Sequence, residues 1–344
     1  MKALATLSEI LTLAGSQFKV YEMGRTITPM APQQFYAIES ATEPYPVPIA
    51  NHARLALCFW SIQSPEIPYI WFLQFPVDEQ GFLSLAARDQ FLHQVIEALG
   101  QDLSRTPNEA QAQALAQNPA IYHPSAEKQA YFNARLKADL DLPASKYYEH
   151  AQAYLNGDLG WDSWQAVALQ GLADVVARLD RESNSQRLAR ALPHLNETTL
   201  IALSQLLEHA PLDQQLMHQL VSLLHHCQSE RPLLASLMLR AMASSPFKSL
   251  RQTLLTEQLQ QSDDPQFFIA IAGRLWKDLS ETGLNRLFFE KLASLNDSDL
   301  FCELFADLVA IPALREQVLA RLRDPERSPQ LAQAIGHLIH SANG

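Results

Sequence analysis

Residues 284–308 read LNRLFFEKLASLNDSDLFCELFADL, and the recurrence of their apolar side chains decides the fold. Leu284, Leu287, Phe288, Leu292 and Leu295 share one face at the i, i+3, i+4, i+7 spacing of a buried helical stripe. Phe301, Leu304, Phe305 and Leu308 repeat that pattern a few residues later. Upstream, Leu216, Leu220, Leu223, Leu224 and Cys227 form a third such stripe. Ser245-Pro246, Asp264-Pro265 and Ser328-Pro329 each pair a capping oxygen with a proline suited to the first helical position. Helix pairs begin near Asn196, Arg231, Asp264, Asp297 and Ser328, at spacings of 35, 33, 33 and 31 residues. A period of that length with two helices per unit predicts an α-solenoid over residues 161–344. The repeats lack tetratricopeptide and ankyrin signatures, so HEAT-like hairpins are expected, with a non-repeating helical bundle as the alternative.

Residues 1–100 read differently. An amphipathic helix carrying Leu4, Leu7, Ile10 and Leu11 precedes four runs rich in aromatic and branched side chains: Phe18–Met23, Phe35–Ile38, Leu55–Ile62 and Tyr69–Phe75. Such runs, bounded by Pro, Ser and Gly, predict strands. Asp78-Glu79-Gln80-Gly81 predicts a hairpin turn leading to Phe82–Leu85, with Gly81 supplying positive φ. Leu92, Val95, Ile96 and Leu99 predict a helix closed by Gly100. The sum is a small antiparallel α+β domain. Residues 101–160 form a helical connector, with candidate helices at Asn108–Gln117, Ser125–Asp139 and Ser145–Leu155, that packs the first domain onto the third. The fold class is therefore α+β, mostly α.

Composition limits function. Glycine is scarce at 11 residues, which favours helix. The net charge is −11, from 26 basic and 37 acidic side chains. Residues 1–160 hold 10 basic and 16 acidic groups, so the acidity is shared by both halves. An acidic body repels phosphate backbones, which argues against nucleic acid and suits a basic protein partner. The local exception, Arg315, Arg321, Arg323 and Arg327, is interrupted by Glu316, Asp324 and Glu326 and reads as a solvated face. Cys58, Cys227 and Cys302 lie far apart in apolar runs and read as buried hydrophobes rather than a disulfide framework. Glu9 breaks the first apolar run before it can form a signal-peptide core, and no stretch reaches the ~20 apolar residues of a membrane helix. The expectation is a cytoplasmic chain with no membrane contact.

Three segments carry a resemblance. They are Phe18-Lys19-Val20-Tyr21-Glu22-Met23-Gly24-Arg25, then Tyr69 through Gly81, then Ala86-Ala87-Arg88-Asp89. Together they resemble a family of uncharacterised gammaproteobacterial proteins of about this length. The resemblance implies a bacterial cytoplasmic protein and supplies no activity and no functional residues.

The search for chemistry returns no catalytic, cofactor-binding or metal site. No two glycines are two, four or five residues apart, which removes the G-x-G turn, the G-x-S-x-G elbow and the Walker A loop. His218 and His225 share a helix face but stand two turns, about 10 Å, apart, too far for one zinc ion. His337 and His340 have ligand spacing but read as a surface pair near the end of the chain. Asp78-Glu79 and Asp263-Asp264 read as turn and cap residues. Three residues are candidates for partner binding. Arg25 follows Gly24 and could anchor a carboxylate, although its plain reading is a solvated arginine at a hairpin edge. Trp161 and Trp164 sit at a helix start capped by Asp162, where core packing is the default and a partner pocket the alternative. The leading expectation is a protein-interaction scaffold using the concave face of the repeats. An enzyme with an unrecognised site in the cleft between the first domain and the helices, and a self-assembling homo-oligomer, are the alternatives.

Overall fold

A computed structural model describes residues 6–61, 64–99, 109–227 and 231–342. Leu4, Ile62, Gly100 and Asn108, used above to bound elements, lie outside the described residues. Among the described residues the chain has seventeen helices and one four-stranded antiparallel sheet near the N-terminus, a mostly-α α+β architecture. It divides into two compact units. The first is Met1–Pro124 with Ala306–Glu316, and the second is Ser125–Phe305 with Gln317–Gly344.

The first unit opens with α1 (Leu7–Leu13), β1 (Ser16–Glu22), β2 (Thr28–Met30) and α2 (Pro32–Glu39). It continues through β3 (His52–Ser61), β4 (Ser64–Pro76), α3 (Leu85–Leu99) and α4 (Glu109–Ala116). The strand order is β2-β1-β3-β4, so β3 is central, and its residues Leu55 to Trp60 are all buried. Phe18–Met23, Leu55 onward and Tyr69–Phe75 fall largely on β1, β3 and β4 as expected, because aromatic and branched side chains suit a pleated, half-buried surface. Phe91 of α3 meets Trp71 and Phe75 of β4 edge-on, with ring centroids 5.6 and 6.1 Å apart.

Two expected strands are corrected. Phe35–Ile38 lies in α2, where Pro32 occupies the first turn and Phe35, Ile38 and Glu39 are buried at helical spacing. Phe82–Leu85 forms a single bridge, Leu83 to Val77, before α3 begins at Leu85. The turn itself is as expected: Asp78 Oδ1 accepts from the amides of Gln80 and Phe82, and Gly81 has φ +94. Buried Glu39 caps α1 from a distance, accepting from the amides of Leu7 and Ser8 and from the Ser8 hydroxyl. Burial, opposed by those hydrogen bonds and by Arg88, raises its pKa above the ordinary carboxylate value.

The second unit begins with α5 (Ala126–Asp139), α6 (Tyr148–Asn156), α7 (Leu169–Val176) and α8 (Asn184–Ala191). It continues with α9 (Glu197–Leu207), α10 (Gln214–Cys227), α11 (Pro232–Ala241), α12 (Lys248–Gln261), α13 (Pro265–Arg274) and α14 (Thr282–Ser294). Two helices, α15 (Ser298–Val309) and α16 (Pro312–Ala320), carry the segment that belongs to the first unit, and α17 (Pro329–Ala342) completes the second. Asp264 and Ser328 each accept a backbone amide of the following turn, as their cap reading requires, and Asn196 and Asp297, near which helix pairs were expected to begin, do the same. Ser245-Pro246 does not cap directly. Ser245 accepts from the amide of Phe247, and α12 starts two residues after Pro246.

The helices pack in sequence. Among the first members of successive pairs, α5 touches α7, α7 touches α9, α9 touches α11 and α11 touches α13; among the second members, α6 touches α8 and α8 touches α10. Leu216, Leu220, Leu224 and Cys227 are buried as their stripe predicts, with Leu223 only half-buried, and Phe301, Leu304, Phe305 and Leu308 are all buried. Leu284, Phe288 and Leu292 are buried too, while Leu287 and Leu295 are half-buried because the stripe of α14 is centred on Phe288 and Phe289. Gly171 has a packing reason. A Cβ there would stand 2.5 Å from the Tyr147 carbonyl oxygen, so only glycine lets α7 approach the start of α6.

Candidate functional site

Three helix C-termini meet at one carboxylate. Glu208 caps the C-terminus of α9, and Arg240 and Arg274 lie in the last turns of α11 and α13, where cations complement the helix dipole. Glu208 is fully buried and bonds both guanidinium groups. Arg240 donates through Nε and, at 3.0 Å, through Nη2; Arg274 Nε donates at 2.9 Å. Ser244 donates to the Glu208 carbonyl, and His209 Nε2 lies 3.3 Å from Oε1. The carboxylate is fully shielded, but Arg240 and Arg274 keep 24% and 16% of their side-chain exposure, so the cluster shows solvent its positive side.

The acid–base states follow from burial and charge. Burial by itself raises the Glu208 carboxyl, but His209, Arg274 and Arg240 outweigh it and hold the group below its ordinary value. His209 is fully buried and pushed down to about 3, chiefly by desolvation; Glu208 opposes this, and Lys128, Arg274 and Arg240 add to it. Its ring is therefore neutral near pH 7. The unfolded ring takes up a proton as pH falls through about 6.5, while the folded ring does so only near 3. The resulting stability is complete above pH 6.5 and is lost as the pH falls toward 3. Chemical denaturation should show a loss on the order of 2 kcal/mol between pH 6.5 and 5. That loss should flatten in His209→Gln, and an unchanged acid dependence in the variant would refute the assignment.

The flanking surface is partly apolar. α11 is flanked by α9 and α13 and backed by α10, so its remaining side is the outer face of this layer. That face carries Leu233, Leu237 and Arg240; α9 contributes half-exposed Ile201, and α13 contributes Ile269 and Ala270. Leu233 is 52% exposed and Ile269 42%. Sequence reasoning passed over this cluster. The available signal was the repeat period itself: Glu208, Arg240 and Arg274 are 32 and 34 residues apart and occupy matching places in consecutive pairs. Asp174, 34 residues before Glu208, holds the corresponding place in α7 and pairs with Arg178 at 2.8 Å.

The residues singled out from sequence lie elsewhere and in different units. Arg25 belongs to the first unit and is not a solvated hairpin arginine: it is completely buried. It donates to the Pro48 carbonyl through Nε and Nη2 and to Asp307 Oδ1 at 2.9 Å, so the carboxylate it anchors is one of its own chain. Its burial follows from Glu22, whose carboxylate gathers the amides of Gly24, Arg25 and Thr26 and folds the turn inward. Trp161 and Trp164 share one 3₁₀ turn, Trp161–Ala166, in the second unit. Gly160 occupies its cap position, and Asp162 is exposed and does not cap. Trp161 stacks on His194 at 5.0 Å and meets Tyr154 edge-on at 5.9 Å; both tryptophans are half-buried.

Cys302 also departs from expectation. It is half-buried rather than buried, with Sγ 3.6 Å from His337 Nδ1. His218, His225 and His226 are exposed, and among the described residues no three His, Cys, Asp or Glu side chains are placed to hold one metal ion. Arg315 and Arg321 are half-buried rather than solvated, Arg315 donating to the Val309 carbonyl and Arg321 pairing with Asp324 at 2.8 Å. No described helix is long and apolar enough to cross a membrane.

No curated protein and no solved structure matches the chain. A family does, over residues 2–339, nearly the full length on which both units and the arginine cluster lie. By that match the chain belongs to the family described as "Protein of unknown function (DUF3549)".

Proposed function

We propose that this chain is a cytoplasmic protein-interaction scaffold whose partner docks on the outer face of α9, α11 and α13. The observation that carries the reading is that α11 and α13 carry exposed Leu233 and Ile269 together with Arg240 and Arg274, whose partly exposed guanidinium groups are held by the buried Glu208 carboxylate. Aliphatic surface beside pre-organised arginine has the composition of an interface centre, and the buried carboxylate holds both guanidinium groups in place before a partner arrives. The helix-to-helix succession in two layers supports reading the second unit as a solenoid of hairpins, which offers such a face along its length.

The test compares affinity capture by three tagged full-length proteins from their native cell extract: wild type, Leu233→Asp/Ile269→Asp, and His225→Asp/His226→Asp. The last pair lies on α10, outside the proposed face. A stoichiometric protein kept by wild type and the histidine variant but lost with the aliphatic variant is the expected result. Equal capture by all three, or none by any, overturns the proposal.

A further inference from the structure

Two guanidinium groups share one carboxylate in the cluster at Glu208. Arg240 donates to it through Nε and Nη2, and Arg274 through Nε, while Arg274 Nη1 donates to the Gly273 carbonyl at 3.1 Å. Arg240 Nη1 and Arg274 Nη2 meet no acceptor among the described residues, and neither is shut off from solvent. Each guanidinium is therefore fixed at its inner edge and open at its outer one. Glu208 is the one carboxylate in ion-pair contact with either arginine among the described residues. With the His209 ring neutral, two positive charges stand against one negative, in a chain whose total is −11. A half-shielded charge gains more from a counter-charge than one in open water, because less solvent screens the pair.

The helices that carry the arginines also carry apolar surface. Leu233, Leu237 and Arg240 recur at i, i+4 and i+7, so on α11 the arginine closes an aliphatic stripe that is exposed at Leu233 and half-exposed at Leu237. On α13, exposed Ile269 and half-exposed Ala270 lie one turn before Gly273 and Arg274. A Cβ at Gly273 would meet nothing within 4 Å, so α13 is open beside its arginine.

We infer, resting on the docking face proposed above, that the segment a partner lays there is acidic as well as apolar: an aspartate or glutamate of the segment accepts from Arg240 Nη1 and Arg274 Nη2 while its aliphatic or aromatic neighbours cover Leu233, Leu237 and Ile269. Guanidinium donors suit carboxylate oxygens, and groups already held by Glu208 lose little freedom on binding. A free anion would meet the arginines but leave the aliphatic stripe uncovered, so the occupant is a peptide segment. Its acidity is local, because a partner acidic throughout would be repelled by the net charge of this chain.

The test selects random peptides displayed on phage against the full-length protein and measures the enriched sequences, as synthetic peptides, by fluorescence anisotropy. The expected peptides carry Asp or Glu between aliphatic or aromatic residues. Their binding should be lost with Leu233→Ser/Ile269→Ser and should fall roughly tenfold when the acid is replaced by its amide. Arg274→Gln should weaken them by a similar factor. Ala270→Glu serves should that variant fail to fold. A glutamate four residues before an arginine has the favourable order for a pair within one helix, so it competes for Arg274 and should weaken the peptides several-fold more than Ala270→Gln does. Peptides lost with the serine variant but indifferent to the exchange of acid for amide, or weakened equally by Ala270→Glu and Ala270→Gln, overturn the inference and leave the docking face standing. Peptides that all bind the serine variant, or no enrichment at all, overturn both. Saturable binding of inorganic phosphate that displaces the peptides points to a free anion and overturns the inference.

Discussion

Replacing Glu208 with glutamine should destabilise the second unit by about 3–5 kcal/mol, the range found when one partner of a buried ion cluster is removed. The reason is arithmetic of charge. The carboxylate is fully buried and bonds two guanidinium groups that are themselves mostly shielded. Without it, Arg240 and Arg274 face each other and Lys128 across a poorly solvated site, and desolvation that was offset becomes a net cost. For a unit of this size the midpoint of thermal unfolding should drop by roughly 10 °C. The triple variant Glu208→Gln/Arg240→Gln/Arg274→Gln separates charge from packing, since a neutral set of similar volume should recover most of the loss. If the single variant melts within 2 °C of wild type, or if the triple is worse than the single, the cluster is not an electrostatic keystone.

Arg25→Ala should cost the first unit about 3 kcal/mol, the lower end of the same range. Its partner Asp307 keeps a quarter of its exposure and can turn to water, so less charge is stranded than at Glu208. The remaining cost comes from the volume the side chain filled and from the Pro48 carbonyl, which loses both of its arginine donors. Arg25→Lys should recover only part of this, because an ammonium cannot reach the Pro48 carbonyl and the Asp307 carboxylate with the same planar fork. Urea titration followed by a fluorophore in the first unit reads the effect. A loss below 1 kcal/mol for the alanine variant would place Arg25 outside the core.

The parts of this fold that sequence revealed are those where one local rule acts alone. The stripes of α10 and α15, the helix starts near Asn196 and Asp297 and the caps at Asp264 and Ser328 needed only spacing and a side-chain oxygen. β3 and β4 showed themselves through aromatic and branched content. Phe35–Ile38 was misread because four apolar or aromatic residues look alike in a strand and in a short helix; the decisive feature was Pro32 three residues earlier. β2 escaped because Pro29, opposite Tyr21, withdraws a donor and shortens an edge strand to three residues. Arg25 was misplaced for a deeper reason. Its neighbours in sequence describe a turn, while the groups that bury it, Pro48 and Asp307, are far along the chain and leave no trace beside it. The arginine cluster had a trace, the repeat period, but periodic polar residues are seen only when the apolar register has already been laid down.

The return of residues 306–316 to the first unit has a consequence for biosynthesis. Arg25 leaves the ribosome 282 residues ahead of Asp307. At about 5–20 residues per second, that interval is roughly 15–55 s. Throughout it the nascent sheet lacks the Asp307 carboxylate that Arg25 meets in the finished fold, so this unit is completed only after the chain between its two segments has been made. A chain released before residue 306 would lack the second segment of this unit and, with it, the Asp307 carboxylate that Arg25 reaches.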